Sequence, residues 1–407
     1  MAGEWRETTL GEVVRLQRGH DLPDKERQAG PVPILGSFGV TGWHNQARAT
    51  GPGVTVGRSG ASIGVVSFIT DDYWPLNTCM YVTDFMGNDP RFCYYWLGTL
   101  DLAAYNSGSA QPSLNRNYIY GLPVRIPEPP EQRAIAQVLS TLDDKIELNR
   151  RISETLEAMA RAIFKSWFVD FDPVRAKVEG PDSGLPKEIA DLFPDRFEES
   201  ELGEILAGWG VGTLADLGIL NPEVWTKETR PAELNYVDLS NTKWGRIEAV
   251  TSYEAADAPS RAQRVLRPAD TIVGTVRPGN GSYAFISESG LTGSTGFAVL
   301  RPQAAQYAEF VYLAGTAADN IDTLAHLADG AAYPAVRPEV VAATPIVRPS
   351  DEVFGRFSRA SGPLLAKVAQ NERESRTLAA LRDALLPRLL SGELRVGGWR
   401  GPMSDNV

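Results

Sequence analysis

The sequence predicts an α+β protein built from one unit used twice, each unit a globular mixed α/β domain followed by a long helix. Three observations predict it. Matching residues recur at a constant spacing, short β-like apolar runs alternate with turn residues, and two series of apolar residues step by seven.

The repeat is clearest in its second part. Gly108-Ser-Ala-Gln-Pro112 precedes Gly330-Ala-Ala-Tyr-Pro334 by 222 residues, and the same offset takes Pro127 to Pro349, Lys145 to Lys367, Asn149 to Asn371 and Leu156 to Leu378. Upstream the offset drifts, as loop insertions make it do. Gly57 in VTVGRSG pairs best with Gly274 in TIVGTVR, and Trp5 pairs with Trp209 near the start of each copy.

The domain part of each copy carries strand-like runs bounded by Gly, Pro, Asn and Asp: Val54–Gly57, Gly64–Ile69, Thr271–Gly274 and Gly296–Leu300. Phe92 to Leu102 and Ala308 to Ala325 carry helical spacing. Each domain closes on a Pro-punctuated strand, Leu122–Pro127 and Ala343–Pro349. Pro129-Pro130 and Pro349 then mark helix entry, because proline's missing amide costs nothing in a first turn.

In the first helix Ile135, Leu142, Asn149, Leu156 and Ile163 fall at steps of seven; in the second Phe357, Leu364, Asn371, Leu378 and Leu385 do the same. Val138, Ile152 and Met159, with Val368 and Leu381, are expected to broaden the stripe. This is the pattern of helices packed on one another. Asn149 and Asn371 each put an amide in the apolar seam, where a buried polar residue fixes register; the alternative is that both face solvent. Gly362-Pro363 predicts a break or kink early in the second helix.

The expected boundaries are residues 1–130 for the first domain, 131–169 for its helix, 170–204 for an acidic Pro-rich connector, 205–349 for the second domain, 350–395 for its helix and 396–407 for a disordered tail. The net charge of −11 is concentrated in the connector, which has 4 basic and 11 acidic residues, a net of −7. The domains are only mildly acidic, so binding to a polyanion must come from local basic patches. Cys79 and Cys93 are too few for a disulfide framework and wrongly spaced for a metal knuckle. No apolar run is long enough to span a membrane, and MAGEWRETTL has no secretory pattern, so a cytoplasmic location is expected.

Several segments resemble the specificity subunits of Type I restriction-modification systems. EQRAIAQVLSTLDDKIELNRRISETLEAMARAIFKSWFVDFDPV is similar to that family's central conserved region, and LRDALLPRLLSGELRV to its distal one. LNTCMYVTDFMGNDPRFCYYWL followed by NSGSAQPSLNRNYIYGLPVRIP is similar to a first target-recognition domain. The resemblance implies two target-recognition domains separated by two long helices that pair as an antiparallel coiled coil. Each domain would read half of a split, asymmetric duplex target. Two modification subunits carrying S-adenosylmethionine would dock on the helices and methylate an adenine in each half, and restriction subunits would join them. The chain itself would bind no cofactor and do no chemistry. A first helix of about 35–39 residues would span on the order of 55 Å, enough to hold half-sites a helical turn or more apart.

On that reading, residues that could enter a groove are Arg, Lys, Asn, Gln, Ser and Thr on loops. In the first domain these are Thr41, His44 and Asn45; Arg58, Ser59 and Ser62 in the Gly-rich loop; and Ser109, Gln111, Asn115 and Arg116. In the second they are Asn241, Lys243 and Arg246; Arg277, Asn280 and Ser282; and Tyr333, while Trp244, which could stack on an extruded base, reads better as packing. Arg58 and Arg277 are taken as equivalent. A Gly-Arg-Ser-Gly turn also forms a plain tight loop. The three histidines are isolated, so neither a metal nor a catalytic role is expected.

Two other classes were weighed. An enzyme would need a phosphate loop, a Cys/His cluster or a methyltransferase motif, none of which occurs; Asp170 and Asp172 sit at a helix exit and read as solvated or capping. A coiled-coil scaffold explains the heptads but not two equivalent globular domains.

Overall fold

The computed structural model describes residues 5–106, 113–180, 185–226, 228–330 and 333–396. It divides into two compact units, Met1–Leu148 with Glu374–Val407, and Asn149–Arg373.

The first unit opens with β1 (Arg6–Thr9), α1 (Leu10–Val13) and β2 (Arg15–Arg18), followed by β3 (Val32–Gly36), β4 (Gly39–His44), β5 (Gly53–Gly57), β6 (Val66–Ile69), β7 (Trp74–Pro75) and β8 (Cys79–Asp84). Next come α2 (Pro90–Gly98), α3 (Arg116–Ile119), β9 (Pro123–Ile126) and α4 (Pro129–Phe168). One antiparallel sheet has the order β2-β8-β5-β6; a second has the order β4-β3-β7, with β3 and β7 parallel; β1 pairs with β9. Strand β5 is buried on every residue, which a run of Gly, Val and Thr tolerates. Helix α2 starts where Asp89 accepts the Phe92 amide at 2.8 Å and Pro90 occupies the first turn. It buries Phe92, Cys93, Tyr95, Trp96 and Leu97 against the sheet.

The second unit begins within α4, at Asn149, and takes in the described residues of the expected connector. Helices α5 (Asp172–Glu179) and α6 (Lys187–Ala190) are followed by a hairpin of β10 (Phe197–Ser200) and β11 (Gly203–Leu206). Phe171, Val174, Phe193, Ile205 and Leu206 join the core of this unit. The expected acidic, Pro-rich connector thus also supplies core residues. Charge dominates the composition here, but the apolar residues are spaced to reach one core.

Strands β12 (Gly210–Thr213), β13 (Gly218–Leu220), β14 (Glu233–Val237), β15 (Thr242–Lys243), β16 (Arg246–Ile247), β17 (Thr251–Glu254), β18 (Ala262–Leu266) and β19 (Thr271–Gly274) follow, then β20 (Tyr283–Phe285), β21 (Leu291–Ser294) and β22 (Phe297–Pro302). Helices α7 (Ala308–Gly315), α8 (Ala318–Leu327) and α9 (Pro338–Ala342), strand β23 (Pro345–Arg348) and helix α10 (Asp351–Leu390) complete the order. The sheet β13-β22-β19-β20 repeats the connectivity of β2-β8-β5-β6, and β12-β23 repeats β1-β9. The sheet β17-β14-β21-β18 has β14 parallel to β21, as β3 is to β7.

Small details repeat as well. Thr9 with Glu12 and Thr213 with Asp216 form a capping box at the same place in each copy. The Leu114 amide donates to the Arg58 carbonyl at 2.8 Å, and the Val336 amide to the Thr275 carbonyl at 2.9 Å. The first pair of amides obeys the offset of 222, while the carbonyls match Gly57 and Gly274.

Both long helices run 40 residues. In the first unit Lys145 pairs with Glu374 at 3.5 Å and Asp143 with Arg382 at 2.7 Å, so α4 and α10 run antiparallel there. Ile135 and Leu139 share a core with Leu389 and Leu390. In the second unit Phe164 and Trp167 meet the Phe357 ring at 6.2 and 5.9 Å, and Phe168 meets Phe354, in the same antiparallel sense. Asn149 and Asn371 are both buried, at 1% and 2% exposure.

Two expectations about the helices are corrected. Helix α10 continues through Gly362-Pro363, so there is no break there. Its buried face, with Phe354, Phe357, Ser361, Leu365 and Ala369, holds the segment on the core, and that packing outweighs the one missing amide. Met159 and Leu381 lie on the solvent side, because the stripe that packs is narrower than the apolar pattern suggested.

Candidate nucleic-acid interface

In each unit the loop leaving a fully buried sheet strand closes against a segment far along the chain. After β5, residues 58–64 return to Val65, whose carbonyl accepts the Gly57 amide at 2.8 Å. After β19, residues 275–281 return to Ser282, whose carbonyl accepts the Gly274 amide at 2.7 Å. The loops are equally long, so Arg277 stands where the first copy has Gly60, and Arg58 where the second has Thr275. The expected equivalence of Arg58 and Arg277 is corrected: the shared Gly-x-Arg look hides a two-residue displacement. The backbone agrees, since Gly60 and Arg277 are both left-handed, with φ of 63° and 47°.

A cleft of about 640 Å³ opens beside the first loop, lined by Gln17, Arg18, His20, Asp21, Arg58 and Leu114 to Asn117. Arg58 is held there by Nη1 on the Asn77 carbonyl at 3.1 Å and Nη2 on Ser113 Oγ at 3.2 Å. Burial first, and then the charge of Arg18, pull the Arg58 pKa down. Arg116 gives Nη1 to the Leu16 carbonyl at 2.8 Å, and Asn115 caps α3 by accepting the Asn117 amide at 3.0 Å.

A larger cleft of about 870 Å³ opens beside the second loop, lined by Asp238, Lys243, Trp244, Arg261, Arg277, Asn280 and Tyr333 among others. The Arg277 guanidinium lies over the exposed Tyr333 ring at 5.1 Å. Arg261 pairs with Asp238 at 3.0 Å and donates to the Tyr236 hydroxyl at 3.1 Å. The first cleft uses the end of β2, the second the long connection from β14 to β17. The same topology thus presents different side chains, of cationic, amide and hydroxyl type, in each copy.

Several expected readers do other work. His44 is buried, accepts the Gln28 amide on Nδ1 at 3.1 Å and meets the Trp74 ring edge-on at 5.2 Å. Ser62 is buried and donates to the Ser59 carbonyl at 2.6 Å, closing its own turn. Ser282 is buried and donates to the Leu239 carbonyl at 3.0 Å. Arg246 is drawn to α4, with Glu154 at 3.1 Å. His44, Ser62 and Ser282 satisfy backbone groups of the fold and Arg246 an acidic side chain, uses that sequence cannot distinguish from a free donor. Thr41 donates to the Ile34 carbonyl at 3.4 Å, and Asn45 to Gln28 at 2.7 Å, yet both remain exposed on the β3–β4 hairpin. Ser59, Asn280 and Lys243 are exposed and Asn241 is half-buried. Ser109 and Gln111 lie outside the described residues.

Arg18 and Arg261 line the clefts and were missed. Nothing local marks Arg261, whereas Arg18-Gly19 at a strand end carried a usable signal. Among the described residues no group of His, Cys, Asp and Glu could hold a metal ion.

Comparison with known proteins fits this architecture. Residues 2–158 match the family described as Type I restriction modification DNA specificity domain. The chain is 28% identical over 330 residues to the Type I restriction enzyme HindI specificity subunit of Haemophilus influenzae, covering 70% of this chain and 71% of that protein. It is 24% identical over 352 residues to the MjaIX specificity subunit of Methanocaldococcus jannaschii, covering 83% and 77%. The fold is like that of the S subunit of a Type I restriction-modification system from M. genitalium, with a TM-score of 0.60, 16% identity, and 95% and 96% of the two chains covered. With these relatives and the duplicated domain-and-helix fold, the chain is similar to the specificity subunits of Type I restriction-modification systems, and residues 2–158 match that family's DNA specificity domain.

Proposed function

We propose that this chain binds double-stranded DNA sequence-specifically, reading a bipartite asymmetric target and positioning two adenine-N6 methyltransferase subunits and, where present, the restriction subunits. One observation carries the reading: a single topology occurs twice, yet the clefts beside its equivalent loops hold different polar and cationic residues. Repeated scaffolds with unlike readers suit an asymmetric split target. The candidate readers are Thr41, Asn45, Arg58, Ser59, Asn115 and Arg116 in the first unit, and Asn241, Lys243, Arg277, Asn280 and Tyr333 in the second, with Arg18 and Arg261 added. S-adenosylmethionine belongs to the partner methyltransferases, and the assembly works in the cytoplasm. No helix among the described residues is long and apolar enough to cross a membrane.

Replacing residues 1–130 with the matching domain of another system tests this. Half of the sequence in the methylation map changes if the reading holds; an unchanged map favours a scaffold without base readout. Purified chain with S-adenosylmethionine and DNA transfers no methyl group until modification subunits are added, and transfer by the chain alone overturns the non-enzymatic role.

A further inference from the structure

Residues Lys243 and Arg246 pair across a two-residue turn, Trp244-Gly245. Both turn residues are left-handed, with φ of 48° and 89°. Such a turn ordinarily takes Asn-Gly or Asp-Gly, because a bulky side chain at positive φ is strained. Here the strained place is given to a tryptophan, and the indole is not used to fill a core: it is 59% exposed.

The surroundings hold that indole still. Its backbone amide donates to the Gly281 carbonyl at 2.6 Å, and the Gly245 amide to the Tyr283 carbonyl at 3.0 Å. Gly281 is itself left-handed, and a Cβ there would fall 2.6 Å from the Trp244 ring, so the glycine makes the seat. The buried Tyr283 ring stands edge-on to the indole at 6.1 Å, and the Arg161 guanidinium lies 5.7 Å over that tyrosine. Trp244 lines the same cleft as Lys243, Arg261, Arg277 and Asn280. A rigid, exposed aromatic face among cations matches an unstacked or partly unstacked base flanked by phosphates.

We propose that Trp244 is a DNA-contacting residue whose indole stacks on, or wedges against, a base in the part of the target read by the second unit. This rests on the DNA-reading function proposed above, and it favours stacking over the packing reading of this residue.

The test uses the assembled complex with its modification subunits and duplexes carrying the mapped target. Trp244→Ala weakens target binding by about tenfold or more, while Trp244→Phe stays within about threefold of wild type. 2-Aminopurine placed along the second half-site loses fluorescence at one position with wild type and not with Trp244→Ala. Gly281→Ala, which crowds the indole, weakens binding alone and adds nothing in the Trp244→Ala background. An equal Gly281→Ala loss in both backgrounds assigns the effect to backbone strain and overturns the proposal. So does unchanged binding by Trp244→Ala while the wild-type complex still prefers the mapped target to a scrambled duplex. A wild-type complex with no such preference overturns the DNA-reading function itself.

Discussion

Asn371 of α10 donates its Nδ2 to the Ser153 Oγ of α4 at 3.3 Å, with both side chains buried. A polar pair in a seam of Leu, Ile and Phe sets register, because a shifted helix would leave the amide unmatched. Ser153→Ala leaves that amide without this acceptor and is expected to cost about 1–3 kcal/mol in urea unfolding. Adding Asn371→Leu in the Ser153→Ala background recovers most of the loss, since an apolar pair replaces a broken polar one. Additive losses would rule out this coupling.

Arg301 grips Asp270 through Nε at 2.8 Å and Nη2 at 2.9 Å, and Asp270 is fully buried. Arg301→Met strands a buried carboxylate and is expected to destabilise the second unit by about 3–5 kcal/mol. Arg301→Met with Asp270→Asn lowers that cost. Thermal or urea unfolding of the three proteins checks the order.

Burial pushes the Glu372 carboxyl up to about 7; Arg246 and Arg373 oppose the shift and Glu157 adds to it. A carboxyl with a raised folded-state pKa favours the folded state in its protonated form. Its penalty is absent below about pH 4.5 and grows as pH rises to about 7, reaching at most about 3 kcal/mol. This group is therefore expected to lower the stability of the wild-type chain as pH rises from about 4.5 to about 7, and Glu372→Gln to flatten that slope. Unfolding midpoints across the range decide it.

Lys243, exposed on the cleft wall, suits a phosphate better than a base edge. Lys243→Ala is expected to weaken binding to target and scrambled duplex alike and to reduce the salt slope of log K by about 1. Arg277→Ala instead lowers the preference for the target. Titrations at several salt concentrations separate the two.

The duplication, the strand at each domain's end and the long helices were legible in the sequence, because hydrophobic period and proline placement act locally. The register asparagines were legible too, since Asn149 and Asn371 interrupt an apolar seam. The sequence could not show that Phe171, Phe193 and Leu206 join the second core, because they find one another only in three dimensions.

The readers divide the same way. Residue type alone could nominate Ser62, Ser282 and His44, each of which could donate or accept. Only the fold decided that each satisfies a nearby backbone group, and that Trp244 stands exposed in a strained turn. The reason is physical: periodicity is written along the chain, whereas exposure and hydrogen-bond satisfaction belong to neighbours that folding brings from far away.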